Sequence, residues 1–213
     1  MLKLKTVSLL KHRSDLSILP EGKLLINTIN AHSYNTALKD AEFAEALLKG
    51  GALIPDGASM VLAFRWLRKE SIERTAGWDL FEYEMERLNR KGGICYFLGS
   101  SKNTLKLIKE KAKNRISEYS NRDLLPTYKP EFTEEENQMM IDAINAVKPD
   151  LLWIGMTAPK QEKWAYTHLD ALEVNGHIGT IGAVFDFFAG TWNCSGPVAR
   201  ARTGMAVSLD QRA

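Results

Sequence analysis

The feature that most constrains the fold is the alternation of short apolar runs with segments of helical spacing. Five runs are apolar at most positions, and a helical pattern follows each of them: residues 23–29, 52–54, 94–98, 150–154 and 178–181. Strands buried on both faces are apolar throughout, and strands that alternate with helices pair in parallel through right-handed crossovers. The sequence therefore predicts an α/β, Rossmann-like fold, with a doubly wound, mostly parallel sheet and helices on both faces.

Length and composition indicate one globular domain. The chain has 213 residues, of which 45% are hydrophobic and 25% charged, so it can bury a sizeable core. We predict a single α/β domain over residues 1–190, with a hairpin at the sheet edge in residues 1–22 and an apolar helical face from Leu105 to Tyr119. Residues 191–213 are rich in small residues and have no apolar stripe, so we expect a poorly ordered tail.

Charge and cysteine content narrow the partners and the compartment. The net charge is +2, which gives no electrostatic reason to expect a nucleic acid partner. Only Cys95 and Cys194 are present, which indicates no disulfide framework and favours a reducing cytoplasm. The N-terminus lacks the apolar core of a signal peptide, and no run approaches the roughly 20 apolar residues of a membrane span. Any membrane contact is therefore expected to be peripheral, on the cytoplasmic face.

Asp56 is the first candidate for chemistry. It follows the run at residues 52–54 and stands between Pro55, which cannot donate to a strand ladder, and Gly57, which permits a tight turn. These neighbours predict a carboxylate at the C-terminal tip of a strand, the edge at which open α/β sheets bind ligands. The alternative is that Asp56 merely caps the predicted helix of residues 58–68.

Polar residues follow three other predicted strands, and they are Thr28, Asn30, Lys160, Gln161, Glu162 and Asp186. Because the carboxyl ends of parallel strands meet at one edge, we expect these side chains to converge on one crevice. Thr28 and Asn30 lie two positions apart, which places both side chains on the same side of an extended chain. The alternative for Thr28 and Asn30 is a role in the turn, and the alternative for Gln161 is a surface position.

Motifs for cofactors and metals are missing. The Gly99-Ser100-Ser101 turn follows a predicted strand but falls short of the Gly-x-Gly-x-x-Gly dinucleotide fingerprint. The sequence has no phosphate loop with Gly-Lys-Ser/Thr, no Asp-x-Asp pair and no histidine or cysteine cluster with ligand spacing. We therefore predict neither a cofactor nor a metal site.

Five short motifs in one order carry a family resemblance. They are Thr28-Ile29-Asn30, Ile54-Pro55-Asp56-Gly57, Glu73-Arg74-Thr75-Ala76-Gly77, Ala158-Pro159-Lys160-Gln161-Glu162-Lys163-Trp164 and residues 182–190 (GAVFDFFAG). Together they resemble the WecG/TagA/CpsF family of bacterial glycosyltransferases over roughly residues 20–190. The resemblance implies inverting transfer of a sugar from a UDP-sugar donor to a polyprenyl-pyrophosphate-linked acceptor, without an essential metal. In the best-known relatives the donor is UDP-N-acetylmannosamine and the product serves wall teichoic acid or a surface polysaccharide.

The resemblance also implies roles for individual residues. By motif position Asp56 is the catalytic base, and the substrate site is lined by Thr28, Asn30, Arg74 and Gln161. Without a metal, the departing diphosphate must be met by amides, hydroxyls and cations, for which Arg74 and Lys160 are suitable. The alternative for Arg74 is a surface salt bridge with Glu70 or Glu73.

One segment departs from the family pattern. After Gly190 the family usually continues with an amphipathic, aromatic and Arg-rich appendage, whereas residues 191–213 have no such stripe, so weak binding to the inner membrane surface is expected. Two other functions stay open: a non-catalytic UDP-sugar-binding protein and a nucleotide-dependent oxidoreductase, against which the missing glycine fingerprint counts. The sequence leaves open the donor sugar, the acceptor and whether the chain forms a homo-oligomer.

Overall fold

The protein forms an open, all-parallel sheet with helices on both faces. In the computed structural model, residues 2–5, 7–112, 118–120 and 131–191 are described. The strands are β1 Leu24–Ile29, β2 Gly51–Pro55, β3 Ile94–Gly99, β4 Glu118–Ser120, β5 Leu151–Gly155 and β6 His177–Thr180, in the spatial order β2-β1-β6-β5-β3-β4. Every pair of neighbouring strands is parallel, as the sequence predicts.

Helices connect the strands in the manner of a doubly wound fold. They are α1 Ala31–Ala37, α2 Ala41–Lys49, α3 Ala58–Leu67, α4 Gly77–Lys91, α5 Lys102–Ala112, α6 Glu134–Asn145, α7 Lys160–Thr167 and α8 Val184–Ala189. From β1 the chain moves outward to β2 in one direction, whereas β6 on the other side of β1 is reached through β3, β4 and β5. The order of connection therefore reverses between β1 and β6, and such reversal points carry ligand sites in this class of fold.

The core consists of two layers, one on each face of the sheet. Alternate residues of β5 show the division, since Leu151 and Trp153 pack with α4 and α8 while Leu152 and Ile154 pack with α6 and α7. All four are inaccessible to solvent. A strand with both faces covered needs apolar side chains at every position, which explains the continuous apolar run. A third cluster packs α1, α2 and α3 on β1 and β2.

Two predictions about local structure are wrong. Residues 1–22 were expected to form an edge hairpin, but the described part of this segment contains a 3-10 helix, Arg13–Ile18, and no strand. The carboxylate of Asp15 accepts hydrogen bonds from the backbone N–H groups of Lys11 and His12, both at 2.9 Å, and this favours a turn over an extended chain. The helical face predicted to reach Tyr119 is not formed, because Tyr119 lies in β4. The prediction for the tail falls on residues 192–213, which lie outside the described residues.

Candidate active site

Asp56 lies at the tip of β2, as predicted. Its backbone N–H donates to the carbonyl of Ile29 at 2.8 Å, which ties the strand tip to the end of β1. The N-cap position of α3 is Gly57, with φ +106°, so Asp56 lies one residue before the N-cap of the helix. Its side chain is 32% exposed, so the carboxylate can reach a ligand at the sheet edge.

Arg74 is the cation that the structure brings to Asp56. Its Nη2 atom lies 3.7 Å from Oδ1 of Asp56, and 44% of its side chain is exposed. The segment before α4 is held against the strand tip because the N–H of Thr75 donates to the carbonyl of Pro55 at 3.0 Å. Thr75 is fully buried, and its hydroxyl has no hydrogen-bond partner among the described residues. A buried hydroxyl without a partner is uncommon in folded proteins.

The salt bridges proposed as alternatives for Arg74 are made by other residues. Glu70 pairs with Lys11 at 3.0 Å and with Arg68 at 2.8 Å. Glu73 accepts a hydrogen bond from the backbone N–H of Arg13 at 3.0 Å. Both carboxylates are thus engaged with the N-terminal segment or with Arg68, and Arg74 faces Asp56.

Thr28 and Asn30 lie at the end of β1, next to Asp56. In the parallel register Thr28 is opposite Ile54 and Ile29 is opposite Pro55. A Cβ on Gly57 would lie 3.9 Å from Cβ of Asn30, so the two turns are adjacent. Both Thr28 and Asn30 are half-buried. Asn30 also serves its own turn, since its Oδ1 accepts from the N–H of Ser33 at 3.0 Å as the N-cap of α1.

Gln161 is buried, so the alternative of a surface position for this residue is wrong. It is 4% exposed, its Oε1 accepts from the N–H of Met156 at 3.2 Å, and its Nε2 donates to Oε1 of Glu162 at 2.8 Å. A Cβ on Gly182 would lie 3.6 Å from Oε1 of Gln161, so this amide also adjoins the turn after β6. An amide has two N–H donors and two acceptor lone pairs, and these two bonds use one of each.

Glu162 was expected at this edge of the sheet, but its burial was not predicted from the sequence. It is 2% exposed, and one carboxylate oxygen, Oε2, has no hydrogen-bond partner in the described part of the chain. Burial raises the pKa of Glu162 to about 7, against the opposing effects of the Gln161 hydrogen bond and of the backbone. An acidic residue in the first turn of a helix is normally a surface residue that complements the helix dipole, so the sequence carried no signal of its burial.

Turns from four adjacent strands form one continuous surface. The start of α4 meets the turn after β6, since a Cβ on Gly77 would lie 3.4 Å from Val184 and 3.8 Å from Ile181. Asp56 and Arg74 from the β2 side are thereby connected through Gly77 and Gly182 to Gln161 on the β5 side. The surface spans the carboxyl ends of β2, β1, β6 and β5 and includes the point between β1 and β6 where the order of connection reverses.

Two residues predicted for the site, Lys160 and Asp186, make contacts with other elements of the fold. The Nζ atom of Lys160 lies 3.5 Å from the centroid of the Phe132 ring, towards α6, and burial lowers the pKa of Lys160. The carboxylate of Asp186 accepts from the hydroxyls of Thr104 and Thr191, both at 3.2 Å. These bonds fasten α8 to the start of α5, which gives Asp186 a structural role.

The turn after β3 is likewise occupied by protein groups. The hydroxyl of Ser101 accepts from the N–H of Thr104 at 3.1 Å, so it caps α5.

Throughout the described ranges, no three His, Cys, Asp or Glu side chains are grouped so as to hold a metal ion. No helix in those ranges is both long and apolar enough to cross a membrane.

Comparison with known proteins identifies the family. The chain is similar to an N-acetylglucosaminyldiphosphoundecaprenol N-acetyl-beta-D-mannosaminyltransferase of Bacillus subtilis, with 25% identity over 166 residues, which is 78% of this chain and 62% of the relative. It is similar to a protein of the same name from Staphylococcus aureus, with 24% identity over 169 residues, which is 79% of this chain and 64% of the relative. The chain thus spans less than two thirds of the length of these relatives. The sequence profile of the glycosyl transferase WecG/TagA/CpsF family matches residues 6–201, and the chain belongs to this family.

Proposed function

We propose that this protein is an inverting glycosyltransferase that moves a sugar from a UDP-sugar to a polyprenyl-pyrophosphate-linked acceptor. The observation that carries the proposal is the partly exposed carboxylate of Asp56 at the strand tip, with the Arg74 guanidinium 3.7 Å away. Family membership and the activity for which the relatives are named support the reaction class and the lipid-linked acceptor. On the same grounds we propose N-acetylmannosamine as the transferred sugar and a surface polysaccharide or teichoic acid as the product.

The proposed reaction transfers one proton, forms one bond and breaks one bond. Asp56 takes the proton from the acceptor hydroxyl, whose oxygen attacks the anomeric carbon of the donor sugar from the face opposite the diphosphate. The new glycosidic bond forms as the bond to the UDP oxygen breaks, so the configuration inverts and UDP leaves with the negative charge. This transition state has oxocarbenium character, as in glycoside hydrolysis. A carboxylate is a suitable base if it is within hydrogen-bond reach of the hydroxyl.

Arg74 and the start of α3 are the proposed contacts of the diphosphate. A guanidinium binds phosphate oxygens in a bidentate manner, and the first N–H groups of α3 are not capped by Gly57. In the structure Arg74 pairs with Asp56. When the diphosphate binds, Arg74 exchanges a carboxylate for a phosphate, which releases Asp56 to act on the acceptor. Thr28, Asn30 and Gln161 are proposed to contact the sugar and the nucleotide.

The test separates binding from turnover. Asp56→Asn keeps the shape of the side chain but removes the base, so UDP binding should persist while turnover falls by about 10² to 10⁴. UDP binding is measured by thermal shift or calorimetry, and turnover by release of UDP in the presence of a lipid-linked acceptor. Asp186→Asn is the matched control, because that carboxylate is engaged with Thr104 and Thr191.

Two experimental outcomes would contradict the proposed function. Near-normal turnover of Asp56→Asn would remove Asp56 from the mechanism. Binding of UDP by the unaltered chain, without transfer to any lipid-linked acceptor, would favour the non-catalytic UDP-sugar-binding protein instead.

A further inference from the structure

The outer face of α3 is apolar where a surface helix is normally polar. The helix buries Met60 and Phe64 against the sheet, as its spacing requires. Its opposite face carries Leu62 and Trp66, one helical turn apart, which are 52% and 75% exposed. Leu67 extends this surface and is 51% exposed. Single exposed apolar residues are common, but a Leu–Trp pair on one helical turn forms a contiguous patch of the kind that marks an interaction surface.

Cations flank this patch. Arg65 and Lys69 are exposed, and neither enters an ion pair within the described ranges of the chain. Nearby acids are engaged elsewhere, since Glu70 pairs with Arg68 and Lys11. Leucine and tryptophan on one face with arginine and lysine beside them is the pattern of a helix that lies on an anionic lipid surface. Tryptophan in particular favours the boundary between the head groups and the acyl chains.

The position of α3 links this patch to the candidate active site. The helix begins two residues after Asp56. At a rise of about 1.5 Å per residue, Leu62 lies roughly 6 Å along the helix from its first residue, Ala58. A bilayer in contact with Leu62 and Trp66 would therefore bring the strand tip to the head-group region, where the pyrophosphate of a lipid-linked acceptor is located.

Two other partners for this face, residues 192–213 and a second copy of the chain, do not complement its positive charge. Residues 192–213 contain Arg200, Arg202 and Arg212 against the single acid Asp210, so that segment is itself cationic. In a dimer that pairs this face with itself, neither copy would supply an acid from residues 58–69 to pair with Arg65 or Lys69. An anionic lipid surface matches both the apolar centre and the charged flanks.

We propose that the outer face of α3, formed by Leu62, Arg65, Trp66 and Leu67, together with Lys69 just beyond the end of the helix, is a docking surface for the anionic lipid bilayer. The choice of a bilayer rests on the proposed function, because that function requires access to an acceptor anchored in lipid. The surface itself can be tested without turnover.

The test uses the full chain and vesicles of phosphatidylglycerol and phosphatidylcholine. Cosedimentation should show binding to the anionic vesicles that weakens as salt rises, with much less binding to pure phosphatidylcholine. Leu62→Ser/Trp66→Ser should weaken vesicle binding at least tenfold, and Arg65→Gln/Lys69→Gln should remove most of the salt dependence. Ile18→Ser is the matched control, since Ile18 is 76% exposed and lies on the 3-10 helix. These sites are exposed, so all variants should keep the melting temperature of the unaltered chain.

The outcomes that overturn the proposal are distinct from those that overturn the function. Vesicle binding that is absent, or unchanged in Leu62→Ser/Trp66→Ser, would refute the surface. So would a concentration-dependent dimer that this variant abolishes while vesicle binding persists, because the face would then join two copies. In transfer assays the variant should lose activity on a vesicle-embedded acceptor and keep it on a water-soluble short-chain acceptor. Failure of the unaltered chain on both acceptors would refute the proposed function and leave the vesicle result to decide the surface.

Discussion

Glu162 should make the stability of this protein fall between pH 5 and pH 8. Its folded-state pKa of about 7 is above the ordinary value of 4.5, and burial is the main cause. The folded protein therefore binds more protons than the unfolded chain between these two values, so stability is greatest below about pH 4.5 and is lost as pH rises through 7. The full pKa difference corresponds to about 3 kcal/mol of unfolding free energy, and about 2.5 kcal/mol of this falls between pH 5 and pH 8.

The comparison that isolates this effect is with Glu162→Gln. The variant keeps an oxygen that can accept the hydrogen bond from Nε2 of Gln161, which is 2.8 Å from Oε1 of Glu162. It carries no charge at any pH, so it avoids the cost of ionising a side chain that is 2% exposed. Urea denaturation at pH 5, 6, 7 and 8 gives the unfolding free energy of each protein. The difference between the two proteins should grow in favour of Glu162→Gln by about 2.5 kcal/mol over this range.

A second variant controls for the general effect of removing an acid. Glu86→Gln alters a side chain that is 71% exposed and contacts Arg90 at 3.8 Å, and its pH dependence should follow that of the unaltered chain. If Glu162→Gln also runs parallel to the unaltered chain from pH 5 to pH 8, Glu162 does not titrate in this window. The burial argument would then be refuted.

Three further outcomes follow from the geometry. Arg74→Ala should weaken binding of UDP, and Arg74→Lys should restore only part of it because an ammonium cannot bind in a bidentate manner; calorimetry measures both. EDTA should change the transfer rate little, and a strict requirement for a divalent ion in the same UDP-release assay would contradict the proposed diphosphate contacts. His177→Ala should lower the unfolding free energy in urea by about 3 kcal/mol, because it removes one partner of the fully buried Glu84. Arg90→Ala, at an exposed ion pair with Glu86, should change it by less than about 1 kcal/mol.

The strand core was predictable because burial on both faces leaves a local signal. Trp153 and its neighbours in β5 must be apolar whichever way they point, so the sequence reads as an unbroken run. The position of Asp56 was predictable for a related reason, since Pro55 ends pairing and Gly57 supplies the positive φ of the turn. Both features depend on residues within three positions of each other.

Features that depend on distant contacts were not predictable from local pattern. The pairing of Arg74 with Asp56 depends on the bond from Thr75 to Pro55, which joins residues 20 positions apart. The direction of Lys160 depends on Phe132, which precedes α6. The burial of Glu162 depends on how α7 packs on α2 and the sheet, and periodicity carries no information about that. The exposure of Trp66 also had no signal, because α3 is apolar on more than one face.

The amino edge of the sheet carries a paired polar cluster that stabilises the fold, whereas the carboxyl edge carries the candidate active site. At the amino edge His177, the first residue of β6, is buried with Nδ1 2.9 Å from Glu84 and Nε2 2.9 Å from the carbonyl of Pro20. A carbonyl can only accept, so Nε2 carries a proton, and this bond holds the end of the N-terminal segment to the sheet. The polar groups of this cluster are thereby paired. At the carboxyl edge the hydroxyl of Thr75 and Oε2 of Glu162 are buried without hydrogen-bond partners among the described residues. Unmet hydrogen-bonding capacity costs stability unless a ligand supplies the partner, so the presence of two such groups at the carboxyl edge favours that side as the place where substrate binds.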